Sequence, residues 1–301
     1  MARVLGAELY EVNPGRWRLP VAVRYPIQAA RTLARVIAKR PRNVIVTNPP
    51  FVAALWLNLF ARPLGYRVWV DAHSGAFNDP RWTRFSMLND WVLRNSRGVI
   101  LATERLAGPL RQHDVEIVVV NYPGVEIKSR RDGADGGLVA TLGYKFDEPV
   151  RELLEAAGRC PNISLFLTGN APSELRALAP PNCTFTGWLD REAYDDLLSG
   201  ARGVVCLTTR EETMQTGAYE ALQFALPVML SGTAALRDIF NRGVVFVDEH
   251  DPDTLAAGLE RLWGQHEQLS EEAERGRSEI LERFREEVEA LRAELETGVP
   301  A

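Results

Sequence analysis

Short runs of β-branched and other apolar residues recur along the first half of the chain and alternate with longer amphipathic stretches. The runs predict four strands, at residues 43–46, 67–70, 98–101 and 116–120. The stretches between them have helical length and lie at residues 26–39, 51–64, 82–94 and 103–112. Because strands that alternate with helices form βαβ units, this half predicts a parallel sheet covered on both faces.

The same alternation restarts in the second half. Strands are expected at residues 138–142, 163–167, 183–185, 203–207, 227–230 and 244–247. Helices are expected at residues 150–159, 191–199, 216–225 and 253–263. The chain of 301 residues is also longer than one ordinary domain of about 150 residues. The expected fold class is therefore α/β, with two Rossmann-like doubly wound domains facing a cleft.

Changes in composition divide the chain. Residues 125–137 are polar, rich in Gly and Asp, and lack periodicity, which is typical of a linker. This predicts an N-terminal domain at 1–124 and a C-terminal domain at 138–270. Residues 271–301 follow as one charged amphipathic helix with an apolar stripe at three- and four-residue spacing. The stripe consists of Ile280, Phe284, Val288, Leu291 and Leu295.

Charge is distributed unevenly between the two halves. Residues 1–124 contain 17 Lys and Arg against 8 Asp and Glu, a formal charge of +9, whereas residues 125–301 contain 18 against 32, a charge of −14. The net charge of −5 argues against nucleic acid as a partner of the whole chain. The asymmetry suggests two domains with different partners.

The lack of a recognisable targeting signal and the pattern of cysteines predict a cytoplasmic protein. The longest apolar run, near residues 51–61, is shorter than the roughly 20 residues that cross a bilayer. Two glutamates lie within the first eleven residues, and the apolar segment of a signal peptide is missing. Cys160, Cys183 and Cys206 are odd in number and widely spaced, which favours reduced structural thiols over a zinc site.

A polar segment after the expected strand at 203–207 carries the strongest candidate chemistry. It contains Glu212 and Glu220, and a helix start expected at Thr213 or Thr216, both of which can cap a helix. Ligands bind beyond the carboxyl ends of parallel strands, and a helix start attracts phosphate. The segment therefore predicts a diphosphate site with two carboxylates that could hold sugar and ribose hydroxyls. The same glutamate spacing recurs within the C-terminal helix, so spacing alone does not distinguish a site from a solvated face.

The second half resembles the retaining glycosyltransferases of the GT-B fold, specifically family 4, the glycosyl transferases group 1. Their motif is Glu, seven residues, Glu, then Ala and a Gly-x-Pro-Val segment. Glu212, Glu220, Ala221 and residues 225–228 occupy those places here. Other matching segments are residues 165–170, 185–188, 194–198, 231–237 and 247–255. The resemblance covers residues 138–264 well and the first half more loosely.

This resemblance implies a sugar transferred from a nucleotide-sugar donor, with retention of configuration and without a metal or other cofactor. It implies that Glu212 contacts the donor sugar as a catalytic residue and that Glu220 binds the ribose. The other expected donor-binding residues are Lys145, Gly169, Arg210, Thr213, Met214, Gln215, Thr216 and Gly217. The family's Gly-Phe-Gly after the first glutamate is replaced here, and of its two cations near the first strand Lys145 offers one.

The loop after the expected strand at 67–70 is the predicted acceptor side. His73 resembles the catalytic histidine that family members place near the donor sugar, where an imidazole could bind a hydroxyl or accept a proton. Asn48, Ser74 and Gly75 are expected to line the acceptor side of the cleft, because they too follow strand ends. A structural histidine and a simple Pro-Pro turn are the alternative interpretations.

The expected helix near residues 26–39 carries a basic face. Arg24, Arg31, Arg35 and Arg42 fall nearly on one line, opposite Ile27, Ala30, Leu33, Ala34 and Ile37. A solvated face is the simpler interpretation. The alternative is peripheral docking on anionic lipid at the inner face of the membrane, which would suit a lipid-linked acceptor.

The start of the chain departs from the family. Residues 1–5 are expected to end a first helix and residues 7–12 to form a strand, so the first strand of the N-terminal domain is missing from the pattern. The combined expectation is a glycosyltransferase with a glycan or lipid-linked acceptor. One alternative is a non-catalytic GT-B binding or partner protein, which would bind the donor without turnover. The other is a nucleotide-sugar epimerase, which would convert the donor without an acceptor.

Overall fold

The chain folds into two compact units. A computed structural model describes residues 1–12, 20–108, 110–122, 126–131 and 136–297. The N-terminal unit comprises Met1–Tyr122 and Phe284–Ala301, and the C-terminal unit comprises Pro123–Arg283. The predicted linker at 125–137 falls partly outside the described residues. No helix in the described ranges is both long enough and apolar enough to cross a bilayer.

The N-terminal unit contains one parallel sheet whose strands follow each other in chain order. Its strands are β1 (Asn43–Asn48), β2 (Arg67–Ala72), β3 (Gly98–Leu101) and β4 (Glu116–Val119). Its helices are α1 (Ala2–Leu5), α2 (Val21–Lys39), α3 (Phe51–Leu64), α4 (Gly75–Asn78), α5 (Pro80–Thr83) and α6 (Ser86–Asn95). The strands predicted at residues 43–46, 67–70, 98–101 and 116–120 are present; β2 and β3 are largely buried, and β1 and β4 are mostly partly buried.

The first residues do not form the predicted strand. Residues 7–12 have no strand pairing, and the sheet starts at β1. Glu8 instead pairs with Arg35 of α2 and lies 3.3 Å from Lys39 Nζ, and the Arg35 guanidinium lies 5.4 Å from the centre of the Tyr10 ring. Side-chain contacts with α2 therefore take the place of strand pairing. Residues 1–5 contain the short helix α1, as predicted.

Two helical predictions in this unit need correction. In the described residues of the segment 103–112, the predicted helix is reduced to a 3-10 turn, Glu104–Ala107, because Gly108 disfavours its continuation as a helix. Among the described side chains of α2, Ala29 and Val36 are buried, whereas Ile37, predicted opposite the basic face, is 50% exposed. The predicted apolar side of α2 is thus rotated away from the true one.

The C-terminal unit contains a six-stranded parallel sheet in the order β7-β6-β5-β8-β9-β10. The strands are β5 (Leu138–Ala140), β6 (Leu165–Thr168), β7 (Cys183–Gly187), β8 (Gly203–Cys206), β9 (Val228–Ser231) and β10 (Val244–Val247). The helices are α7 (Val150–Arg159), α8 (Ser173–Arg176), α9 (Arg191–Ser199), α10 (Thr216–Gln223), α11 (Ala234–Ile239), α12 (Pro252–Gly264) and α13 (His266–Glu296). Every strand predicted for this half is present.

The last helix, α13, contributes to both units. It begins at His266, five residues before the predicted start. Ile280 lies in the core of the C-terminal unit, whereas Phe284, Val288 and Leu291 lie in a core of the N-terminal unit. Four members of the predicted apolar stripe are therefore buried, Leu295 is partly buried, and the members are divided between two cores.

The two faces of the N-terminal sheet are covered differently. Val68 and Val70 of β2 pack into a core with α3 and α6. The residue between them, Trp69, is fully buried on the opposite face, as strand alternation requires. That second face is covered by α1 and by the end of α13. The strand ends that carry the acceptor-side residues are thus supported from both faces.

Candidate functional site

The carboxyl ends of β5 and β8 mark the topological switch of the C-terminal sheet. The chain runs outward from β5 to β7 on one side and from β8 to β10 on the other. Thr141, directly after β5, donates its backbone N–H to Val205 O at 3.1 Å, and its Oγ1 lies 2.7 Å from Cys206 Sγ. Burial raises the pKa of the Cys206 thiol to about 12. Open α/β sheets bind ligands at such switch points.

Helix α10 begins at this switch point. Its first residue is Thr216, and Gln215 occupies the N-cap position without a side-chain cap. The predicted helix start at Thr216 is therefore confirmed, but neither Thr213 nor Thr216 caps the helix. The N–H groups of a first helical turn have no carbonyl partner within the helix, so this end of α10 suits an anion.

Gly217 brings α10 against the ends of the two central strands. A Cβ atom built on Gly217 would lie less than 3.0 Å from both Thr141 Oγ1 and Cys206 Sγ. Gly217 itself is buried. The close approach holds the first turn of α10 against the ends of β5 and β8. A glycine at this position is thus a packing requirement.

The Glu220 carboxylate is held by two residues of α9. The Tyr194 hydroxyl donates to Glu220 Oε2 at 2.6 Å, and Arg191 Nη1 lies 3.4 Å from Oε1. The Glu220 side chain is 19% exposed. Burial and the adjacent carboxylate raise the pKa of Tyr194, so the phenol stays protonated as a donor. The carboxylate is oriented and keeps acceptor capacity for a ligand hydroxyl.

Glu212 is partly buried, and the segment around it is fixed by its neighbours. Glu211 Oε1 accepts a hydrogen bond from Ala234 N at the start of α11, at 2.6 Å. Met214 packs against the core below α10, with its Sδ 3.7 Å from the Tyr219 hydroxyl. These contacts hold Glu212 at the same edge of the sheet as the start of α10.

A chain of polar side chains that the sequence reasoning missed runs along this edge. The buried Thr208 hydroxyl donates to Asp147 Oδ2 at 2.9 Å, and Thr208 N donates to Ser231 Oγ at 2.8 Å. Ser231 Oγ lies 2.7 Å from His250 Nε2. Burial lowers the pKa of His250, which favours the neutral imidazole. Thr208, Ser231 and His250 all end or follow strands, so the rule that singled out Glu212 could have found them.

The loop after β5 binds a carboxylate of the chain itself. Gly143 N lies 3.1 and 3.0 Å from the two oxygens of Glu148, and Lys145 N lies 3.3 Å from Oε2. Tyr144, between them, has a left-handed φ of 52°. Burial raises the pKa of Glu148, against the effect of these N–H donors. Backbone N–H groups near a predicted phosphate site are thus already occupied.

The remaining predicted donor residues border the same loop. Gly169 has a φ of +82°, and a Cβ there would lie 2.5 Å from Leu142 O, so the turn after β6 needs glycine. The Arg210 guanidinium lies 5.8 Å from the centre of the Phe146 ring. The Lys145 side chain is exposed. The loops after β5, β6 and β8 therefore meet, with two cations at their edge.

The acceptor-side residues in the N-terminal unit follow β1 and β2. His73 N donates to Asn48 O at 2.8 Å, and the buried Asn48 side chain donates to Asn89 Oδ1 at 2.8 Å. Ser74 and Gly75 follow directly, at the start of α4. The structure thus brings Asn48, Ser74 and Gly75 together with His73. Asn89, on α6, was missed because nothing in the local pattern links it to β1.

His73 is expected to titrate above its ordinary pKa of 6.5. Its Nε2 lies 3.6 Å from Asp71 Oδ2, and hydrogen bonding to this carboxylate raises the pKa. The interaction therefore stabilises the fold below about pH 6.5 and is lost as pH rises through the raised pKa. NMR titration of wild type and Asp71→Asn checks this: the variant should titrate lower. Equal values in the two proteins would contradict the assignment.

The predicted site residues therefore form two groups, one in each unit. The C-terminal group collects around the start of α10, and the N-terminal group around the ends of β1 and β2. Tyr194 and Arg191 complete the surroundings of Glu220 but stand on a different helix, so no spacing in the sequence reveals them. Thr141 follows β5 and was available to the strand-end rule.

Comparison with known proteins supports the same fold. Residues 134–265 match the family model described as glycosyl transferases group 1. The chain is similar to TarM at 17% identity, with a TM-score of 0.69, covering 90% of this chain and 58% of that structure. It is similar to Anabaena HepE solved with UDP-glucose, at 13% identity, with a TM-score of 0.70 and coverage of 88% and 82%. It is also similar to a glycosyltransferase from Rickettsia africae, at 12% identity and with a TM-score of 0.67, covering 97% of this chain and 86% of that structure. No curated protein matches by sequence.

These similarities agree with the two parallel sheets. The chain spans 58% of the length of TarM. Because the sequence identities with these solved structures are only 12–17%, the structures are evidence for the fold of the chain alone. The family match lies within the C-terminal unit, which holds the motif with Glu212 and Glu220. The chain is therefore a divergent protein of the GT-B fold, and its residues 134–265, less than half of its length, match the family model of the glycosyl transferases group 1.

Proposed function

We propose that this protein transfers a sugar from a nucleotide-sugar donor to a glycan or lipid-linked acceptor, with retention and without a protein-bound metal. The observation that carries the proposal is the start of α10 at the switch point, beside a Glu220 carboxylate that Tyr194 and Arg191 orient. A helix start favours a diphosphate, and an oriented carboxylate accepts hydrogen bonds from vicinal hydroxyls. A nucleoside diphosphate sugar carries both groups.

In this proposal, the C-terminal unit binds the donor. The diphosphate contacts the first turn of α10, with Lys145 and Arg210 as the cations at its edge. Glu220 accepts from the ribose hydroxyls, and Glu212 accepts from the sugar. Fixed dipoles and cations then stabilise the negative charge that develops on the leaving diphosphate, as preorganised donors do in the active sites of acyl- and phosphoryl-transfer enzymes.

The N-terminal unit would bind the acceptor near His73. Because the Asp71 carboxylate raises the pKa of His73, the imidazole is more often protonated near neutral pH than an isolated histidine. This favours hydrogen-bond donation to a sugar oxygen over removal of a proton. Asn48 and Asn89 position the loop and need not touch the acceptor.

One observation favours a second function, that of a donor-binding protein without turnover. Glu148 already accepts hydrogen bonds from Gly143 and Lys145, so a phosphate at this loop would have to displace a carboxylate or bind without these donors. Charge repulsion from Glu148 would weaken the hold on a diphosphate. The two functions differ in whether product forms when an acceptor is supplied.

Binding of a nucleoside diphosphate is expected to raise the melting temperature. At about 100 times its Kd, a ligand adds about 2.7 kcal/mol to the free energy of unfolding. The uridine nucleotides are the first probes, because Anabaena HepE was solved with UDP and with UDP-glucose, with adenosine and guanosine diphosphates as comparisons. A melting temperature unchanged by every nucleotide would refute the donor site.

Turnover then separates the two functions. Incubation of a radiolabelled donor with lipid and glycan extracts should transfer label to an acceptor, and EDTA should leave the rate unchanged. Label that stays in the donor despite nucleotide binding would support the non-catalytic alternative instead.

A further inference from the structure

Large exposed apolar side chains are concentrated in the N-terminal unit. Twelve of the sixteen such side chains among the described residues belong to this unit. Seven of the twelve lie on α3, on α6 or on the N-cap residue of α6. Soluble monomers rarely keep large contiguous apolar patches unless the patch contacts something. These two helices therefore carry most of the exposed apolar surface of the N-terminal unit.

Helices α3 and α6 lie side by side on one face of the sheet. The Asn58 amide of α3 donates to Val92 O at 3.1 Å and to Ser96 Oγ at 2.9 Å. Their inner sides are fully buried, at Leu57 and Leu93 for example. Their outer sides form what we call the α3–α6 surface, which consists of Trp56, Leu59, Leu64, Phe85, Met87, Leu88 and Trp91.

The composition of this surface is typical of a membrane interface. Tryptophan, leucine, phenylalanine and methionine occupy the apolar side of helices that lie in the headgroup region of a bilayer. Met87 is 86% exposed, so its apolar side chain is open to solvent. Trp56 stacks on Phe60 with ring centres 6.1 Å apart, which keeps an aromatic pair on the outer side of α3.

Arginines outnumber acidic residues on these helices and in the segment just before α6. Arg62, Arg84 and Arg94 are exposed and accompany the apolar residues, whereas Asp90 is the one acidic residue of α3 and α6 in the sequence. Asp90 lies 3.9 Å from Arg94. Arg62 and Arg84 have no carboxylate partner among the residues whose structure is described. This charge complements an anionic surface.

The basic face predicted on α2 is less available for this purpose. Arg35 and Lys39 pair with Glu8, and the Arg35 guanidinium also lies over the Tyr10 ring. Part of the positive charge of α2 is thus neutralised by a carboxylate of the same unit. Among the described residues, Arg62 on α3 and Arg84 just before α6 have no such carboxylate partner.

We propose that the α3–α6 surface docks on an anionic lipid bilayer, with its apolar side chains in the headgroup region and Arg62, Arg84 and Arg94 against lipid phosphates. A second copy of the chain is a poorer occupant, because a two-fold interface would bring the same arginines together. The docking surface is independent of sugar transfer, since it uses none of the residues assigned to the donor or to His73.

Vesicle sedimentation tests the proposal with the full chain. The protein should bind vesicles of phosphatidylcholine with about one third phosphatidylglycerol at low salt, and binding should weaken as salt screens the charges. The protein should bind far less to pure phosphatidylcholine vesicles.

The double variant Trp56→Ser/Trp91→Ser should lower the partition coefficient at least about tenfold. The double variant Arg62→Gln/Arg84→Gln should lower it about fivefold for each arginine.

Matched controls come from the C-terminal unit and α13. The double variant Leu178→Ser/Trp188→Ser removes exposed apolar side chains of that unit, and Arg275→Gln/Arg285→Gln removes two exposed charges. Both controls should bind as the wild type does. Unfolding curves and nucleotide-induced thermal shifts like those of the wild type show that a variant is folded, independently of lipid.

Three results would overturn the proposal. The first is a wild-type protein that remains in the supernatant with anionic vesicles at low salt. The second is binding that the Trp56→Ser/Trp91→Ser variant retains in full. The third is a concentration-dependent oligomer that this variant abolishes while no vesicle binding is seen, which would assign the surface to another copy of the chain.

Discussion

Replacing Gly217 with alanine is expected to lower both the stability of the C-terminal unit and its affinity for a nucleoside diphosphate. The added methyl group would lie less than 3.0 Å from Thr141 Oγ1 and Cys206 Sγ, and overpacking of this kind costs about 1–3 kcal/mol. The start of α10 would move away from the ends of β5 and β8. Urea unfolding and diphosphate titration of the same variant measure the two effects.

Gly264→Ala is the matched control for this change. Gly264 ends α12, and an added Cβ there meets no atom within 4 Å. Its unfolding midpoint and diphosphate affinity should therefore stay close to those of the wild type. A Gly217→Ala protein with the wild-type midpoint would show that α10 tolerates a methyl group at the switch point, contrary to the packing described.

Glu220→Ala is expected to weaken nucleotide-sugar binding by about 1.5–3 kcal/mol, or roughly 10- to 150-fold in Kd. The variant removes the carboxylate that would bind the ribose and leaves Tyr194 and Arg191 without it. Tyr194→Phe keeps the carboxylate but removes the 2.6 Å hydrogen bond that orients it, so its loss of affinity should be smaller. Calorimetric titration of both variants with the donor found by thermal shift measures the difference.

Gln223→Ala serves as the control on the same helix. Gln223 lies one turn after Glu220, and its Oε1 is 3.5 Å from Arg191 Nη2. It therefore shares a partner with Glu220 but has no assigned role with the donor. Its donor affinity should remain within about 0.5 kcal/mol of the wild type. A folded Glu220→Ala protein with unaltered affinity would remove Glu220 from the site.

The strands and the edge of the sheet that carries the site could be predicted from the sequence. The strands are runs rich in apolar residues, so their pattern is local, and polar residues after them fall at one edge by the geometry of parallel sheets. This logic selects the segment around Glu212 and the loop around His73 as candidates. It failed at residues 7–12, where pairing of Glu8 with α2 rather than strand propensity determines the conformation.

Partners from distant parts of the chain could not be predicted. Tyr194 reaches Glu220 from another helix, 26 residues earlier in the sequence, and Asn89 reaches Asn48 across 41 residues. The exposed side of α2 was misjudged for a related reason. Several apolar residues of that helix compete for the core, and packing, which buries Ala29 and Val36, selects among them. Which apolar side of a helix is buried depends on how the whole unit packs.

The division of α13 between two cores has a consequence for synthesis of the chain. Trp69 and Ile100 lie under Phe284 and Leu291 in one core, yet the ribosome adds Phe284 only after the whole C-terminal unit has been made. The unit that emerges first is therefore the last to be completed. Until then, α13 is missing from this face and α1 alone covers part of it. Translational stalling before Phe284 would leave the remaining apolar side chains accessible to chaperones.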